Sequence, residues 1–225
     1  MGEMIDITVD GGKATAYLAP AQPSPGAPVL LLHPWWGLNQ AIQDLADRLA
    51  ADGFTVMAPD LFKGTVLTTP AEAEAHLKTI GRGGVDGGLT QEGITATAEA
   101  GLNALLARPE VSGDRAGVIG LSLGAGYGLE VAEARQDVVA FVGIYPGIFE
   151  APSGLAYLGH YAEHDDFDDS AEVENLKPTL REGSAAYVYP GTKHWFMETD
   201  RPEFDAEAND LAYQRTVGFL HRELG

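Results

Sequence analysis

Residues 116–134 pass from an apolar, β-type run, Ala116–Ile119, through Gly120-Leu-Ser122-Leu-Gly124-Ala-Gly126, and directly into a helical segment. A strand, a tight glycine-flanked turn and a helix in immediate succession confine the chain to a layered α/β architecture. They also fix where the serine stands: the turn forces it into a strained backbone conformation and exposes its hydroxyl at the carboxyl end of the sheet. The helix N-terminus beneath it favours developing negative charge. A Gly-x-Ser-x-Gly string arises easily by chance in a chain with 28 glycines, so the flanking strand and helix are what give this one meaning.

The rest of the chain supports such an architecture. Ile5–Val9 and Ala14–Leu18, separated by Gly11-Gly12, read as a hairpin, and Val29–His33 reads as a buried strand. Asn39 is placed to cap a helix carrying Ile42, Leu45, Ala46 and Leu49 at helical spacing and ending near Gly53. Phe54–Ala58, Val138–Ile144 and Ala185–Tyr189 are further strands, with a weaker one at Leu155–Tyr161. Helices are expected over 71–80, 90–107, 124–135, 171–180 and 206–222. Residues 81–88 read as a flexible connection, either a linker or a mobile loop bordering a site. Strands alternating with helices over this length predict one domain, residues 1–225, with a mostly parallel central sheet, helices on both faces and an N-terminal hairpin.

Serine is a weak nucleophile at neutral pH and needs a base within hydrogen-bond reach. On this architecture the order along the chain is serine, acid, histidine. His160, His164, His194 and His221 follow Ser122. His221 falls on an exposed turn of the last helix, whereas His194 follows the strand Ala185–Tyr189 and so stands at a strand's carboxyl end, which makes it the base. The orienting acid must come from the loop after the preceding strand, Ala162-Glu-His-Asp165-Asp166-Phe167-Asp168-Asp169. Local chemistry does not choose among these acids. A metal site built from His160, His164 and the carboxylates is an alternative, although an acidic helix entrance explains the aspartates more simply.

Four segments together resemble the dienelactone hydrolase family of the α/β hydrolases: His33-Pro-Trp-Trp-Gly-Leu-Asn39, Ala58-Pro-Asp-Leu-Phe62, the Ser122 turn, and Tyr189-Pro-Gly-Thr-Lys-His194. The likeness runs from about Val29 to Leu220 and implies an α/β-hydrolase fold without a large cap domain. It places the acid at Asp165, with Asp166 in reserve. It also implies an oxyanion hole made by the backbone N–H groups of Leu123 and Trp35. Trp36, Trp195 and Phe196 are then expected to line the substrate pocket. Three departures stand out. Members that cleave dienelactone use a cysteine where this chain has Ser122, a glutamate where it has Pro34, and a carboxylate-binding arginine where it has Glu198. The resemblance therefore implies a serine esterase or lactonase, and an acid at Glu198 is expected to repel an anionic lactone.

Composition narrows the partners. The formal charge of −19 opposes binding to nucleic acid or anionic lipid, whose phosphates it would repel, and it points to a small-molecule substrate. The chain has no cysteine, which rules out disulfides, thiolate metal sites and a thiol nucleophile. No cofactor and no metal are called for. No apolar run is long enough to span a bilayer, and no signal peptide is visible, so a cytoplasmic monomer is expected. A non-catalytic binding module on the same fold is the remaining alternative.

Overall fold

The structure, a computed structural model, describes residues 1–10, 12–80, 89–147 and 154–225. The chain divides into two compact units, Met1–Gly113 and Asp114–Gly225.

The first unit begins with the expected hairpin. β1 (Glu3–Val9) pairs antiparallel with β2 (Gly12–Ala19), which in turn pairs antiparallel with β4 (Phe54–Pro59). β3 (Ala27–Leu32) lies parallel to β4. Between them runs α1 (Gln40–Ala51), where the Asn39 side chain accepts the Ile42 N–H, satisfying one of the donors that every helix start leaves open. α2 (Pro70–Leu77) opens on a reciprocal box of Thr69 and Glu72. The expected connection over 81–88 lies outside the described residues, and α3 (Gln91–Leu106) follows it.

Strand alternation decides which helix covers which face. Ala16 and Leu18 of β2 pack with Ile7, Met57 and Leu105 of α3. Tyr17, between them, points the other way, and its hydroxyl donates to the Asp47 carboxylate of α1 at 3.1 Å.

The second unit is fully parallel. β5 (Ala116–Leu121), β6 (Val138–Ile144), β7 (Ala156–His164) and β8 (Ala185–Lys193) pair in that order. α4 (Leu123–Ala134) packs on β5 and β6, and α6 (Ala206–Leu224) packs on β5, β6 and β7. The helix expected over 171–180 is broken into a 3-10 turn at Ser170–Glu172, α5 (Val173–Leu176) and a second 3-10 turn at Lys177–Thr179. Pro178 lacks the N–H that a longer helix would need at that position.

β8 also differs from expectation: it continues past Tyr189 to Lys193. Pro190 and Gly191 look like a strand's end in sequence. Instead they form an irregularity in which the register moves from Ala162↔Tyr189 to His164↔Lys193. Two residues of β7 thus oppose four of β8, a bulge of the kind that re-aims a strand's end. Gly191, at φ 74°, occupies backbone space that side chains disfavour, and its N–H donates to Glu163 Oε2 at 2.8 Å.

Candidate active site

β5 ends at Leu121 and α4 begins at Leu123, which leaves Ser122 alone between them at φ 49°, ψ −117°. A left-handed conformation at a non-glycine residue costs of order 1–3 kcal/mol and persists only where its surroundings enforce it. Here the Ser122 N–H donates to the Ile144 carbonyl at 2.9 Å, and its carbonyl accepts the Ala125 N–H at 2.8 Å. Gly120 makes the turn possible: a Cβ there would lie 2.5 Å from both Ala125 Cα and the Gly124 carbonyl oxygen. Ser122 sits at the helix N-cap position, yet its side chain caps nothing. Its hydroxyl is directed elsewhere.

It meets His194. The imidazole Nε2 lies 2.9 Å from Ser122 Oγ, and Nδ1 lies 2.7 Å from Asp165 Oδ2. Both the histidine and the aspartate side chains are nearly buried. The bulge in β8 is what brings His194 level with the loop after β7. Asp165 Oδ1 in turn accepts the Phe167 N–H at 3.0 Å, so one carboxylate orients the histidine and pins the loop that carries it. Of the acids in that loop, geometry places Asp165 beside the histidine, while Asp166 is exposed.

The two other histidines raised as metal ligands are not brought together. His160 is buried, with Nδ1 at 2.8 Å from the Tyr189 hydroxyl and Nε2 at 2.9 Å from Thr216 Oγ1. Both ring nitrogens are thereby occupied, and burial, helped by Arg215, holds its pKa down at about 3. It is a neutral core histidine. His164 is exposed, with Nε2 3.4 Å from Glu163. His221 is exposed, as expected.

Of the residues expected to line the substrate pocket, Trp36 and Phe196 are fully buried. Trp195 is half-buried and takes φ 69°. Two further residues, Tyr145 and Phe167, flank the histidine. The Tyr145 ring approaches the imidazole from the interior at 4.7 Å, and the Phe167 ring approaches it from the surface at 4.7 Å. Within the first unit, His33 Nε2 accepts the Leu61 N–H at 3.1 Å while Nδ1 donates to the Pro34 carbonyl at 2.8 Å. This joins the segment that carries Trp35 to the one that follows β4.

Glu198 is also corrected. It is only 2% exposed and accepts the Tyr145 hydroxyl proton on Oε1 at 2.8 Å, while nothing among the described residues hydrogen-bonds Oε2. Burial pushes its carboxyl up to about 8, against the opposing effect of the Tyr145 hydrogen bond. At neutral pH it is therefore mostly protonated and is not the standing negative charge expected to repel an anionic lactone. A stability signature follows. The unfolded chain releases this proton near the ordinary value of 4.5, and the folded chain only near 8. The contribution is fully present below the lower value and is lost as pH rises through the higher one. Glu198→Gln keeps the shape and the acceptor but cannot ionise. In urea denaturation the variant is expected to match the wild type near pH 4.5 and to be the more stable of the two by several kcal/mol near pH 8, of order 1.4 per pH unit crossed. Parallel stability curves across that range would disprove the buried neutral acid.

A serine on a strained strand-to-helix turn, bonded to a histidine that follows a later strand and is oriented by an aspartate, on a parallel sheet flanked by helices, defines the α/β-hydrolase class. Comparison with known proteins agrees. A profile of the dienelactone hydrolase family matches residues 14–224. A protein of Azospirillum brasilense named "Putative carboxymethylenebutenolidase" is 29% identical, the alignment covering 99% of this chain and 100% of that one. Among solved structures, a dienelactone hydrolase-like promiscuous phosphotriesterase, P91, from metagenomic libraries superposes with a TM-score of 0.80 at 19% identity, over 100% of this chain and 99% of that one. A dienelactone hydrolase from Anabaena variabilis does so with a TM-score of 0.72 at 18% identity, over 100% and 99%. At such identities the structures establish the α/β-hydrolase fold. The chain belongs to the dienelactone hydrolase family, and it is a hydrolase acting on ester bonds. None of its described helices is long and apolar enough to cross a membrane.

Proposed function

We propose that the protein is a serine hydrolase that cleaves small, uncharged esters or lactones through an acyl-enzyme on Ser122. The observation that carries this reading is the continuous bond path from Ser122 Oγ to His194 Nε2 at 2.9 Å and from His194 Nδ1 to Asp165 at 2.7 Å. Ser122 Oγ attacks the carbonyl carbon as its proton passes to His194 Nε2, and Asp165 holds the imidazolium that forms. The carbonyl's electron pair moves onto oxygen, where the backbone N–H of Leu123 receives it. Such a donor is worth about 3 kcal/mol of barrier. His194 then returns its proton to the leaving oxygen as the C–O bond breaks, and water releases the acyl group by the reverse sequence. Leu123 is the first residue of α4, and N–H groups in a helix's first turn have no partner within the helix. The net charge of −19 and the acids of residues 163–169 favour uncharged substrates over carboxylates.

A fluorophosphonate probe tests the reading, because it reacts only with an activated nucleophile. Peptide mapping is expected to find the adduct on Ser122. Ester turnover by protein that stays unlabelled would overturn the proposal, and a binding module that merely keeps the fold would show neither labelling nor turnover.

A further inference from the structure

Among the described residues, Phe167 is the one phenylalanine or tryptophan left exposed, at 55%. Single exposed hydrophobes are ordinary, but the placement of this one is not arbitrary. Its N–H is held by Asp165 Oδ1 at 3.0 Å, the same carboxylate that orients His194. Its ring lies 4.7 Å from the imidazole and 5.8 Å from the Trp195 ring, at 59° and 66°. Trp195, half-buried, stands edge-on to the imidazole at 5.2 Å. The histidine's accessible side is thus bordered by a phenyl and an indole.

Chemistry fixes which part of a substrate comes there. In the step that breaks the ester, the proton on His194 Nε2 passes to the alcohol oxygen while the acyl carbon keeps its bond to Ser122 Oγ. The leaving oxygen must therefore lie within hydrogen-bond reach of Nε2, and its substituent within reach of rings 4.7–5.2 Å from the imidazole. The acyl substituent is bonded to the carbon on Ser122 and has no such requirement. Resting on acyl transfer at Ser122, we infer that Phe167 and Trp195 form the binding platform for the alcohol half of the substrate and select esters of uncharged aromatic or bulky apolar alcohols. Edge and offset contacts between aromatic rings suit such a site.

The test uses the intact enzyme and one acid esterified to ethanol or to benzyl alcohol, whose leaving abilities are similar. Wild type is expected to favour the benzyl ester in kcat/KM. Phe167→Ala should lower the benzyl-to-ethyl ratio roughly tenfold, the scale of one lost aromatic contact plus its buried area. Phe167→Trp, which restores a ring, should recover it. A fall in both rates with the ratio preserved would show that Phe167 only supports His194, and would overturn the inference. So would a loss that follows the acyl group when ethyl acetate is compared with ethyl phenylacetate. If no ester is cleaved and the fluorophosphonate leaves Ser122 unmodified, the Ser122 reading itself fails and this one falls with it. A labelled, active enzyme with no preference between the alcohols overturns the platform alone.

Discussion

Ser122→Ala is expected to lower kcat for p-nitrophenyl acetate by roughly a million-fold, the scale seen when a nucleophile that works as a unit with its base is removed. The fold should survive the change. Both hydrogen bonds that hold the residue in its strained conformation are made by its backbone, to Ile144 and Ala125. Alanine brings no larger side chain to φ 49° than serine does, and the lost hydroxyl bonded His194 rather than the helix. Stability within about 1 kcal/mol of wild type is expected. Turnover near the wild-type rate in a folded Ser122→Ala protein would reject acyl-enzyme chemistry at this residue.

Asp165→Asn should cost about 10³- to 10⁴-fold in kcat while leaving Ser122 in place. The reason lies in what each carboxylate oxygen does. Oδ1 accepts the Phe167 N–H and Oδ2 receives His194 Nδ1. An asparagine has one acceptor oxygen and one amide nitrogen, which only donates. If the oxygen keeps Phe167, the nitrogen faces Nδ1, the ring proton is driven to Nε2, and the serine has no base. In the opposite orientation two donors oppose each other at Phe167, and the loop loosens. Asp166→Asn, one residue along on the exposed side, is expected to leave kcat within about twofold, since it changes only a screened surface charge. Steady-state kinetics of the two variants, compared at equal folded fraction, separates the acids. An equal loss in both would remove Asp165 from the role assigned to it.

These residues also show where the sequence was legible. Ser122 could be found because the strand, the glycines and the helix are contiguous, so local rules suffice. His194 followed from its place after a strand, although that strand ends four residues later than expected. Proline and glycine at 190–191 signal a terminus locally, and only pairing with β7 reveals that the ladder continues beyond them. Asp165 could not be singled out from its acidic neighbours by local chemistry, because the choice depends on which carboxylate the returning β8 brings His194 against. Trp36 and Phe196 adjoin segments of the candidate site, but adjacency in sequence does not fix the direction of a side chain, and both are fully buried. Glu198 was read as a charge, as an isolated glutamate would be. Its burial and its bond to Tyr145 are long-range facts, and they reverse the electrostatic conclusion.

The bulge in β8 has a consequence for how such a chain tolerates change. Between Tyr189 and His194 the sheet needs a surplus of residues over the facing strand, and side chains along a strand alternate faces with a period of two. Losing or gaining one residue in this short stretch would turn the imidazole to the opposite face, with every strand pairing upstream intact. The spacer therefore behaves like a ruler: its length is constrained in addition to its composition, and inserting or deleting one residue is expected to displace His194 even where Gly191 keeps its φ of 74°.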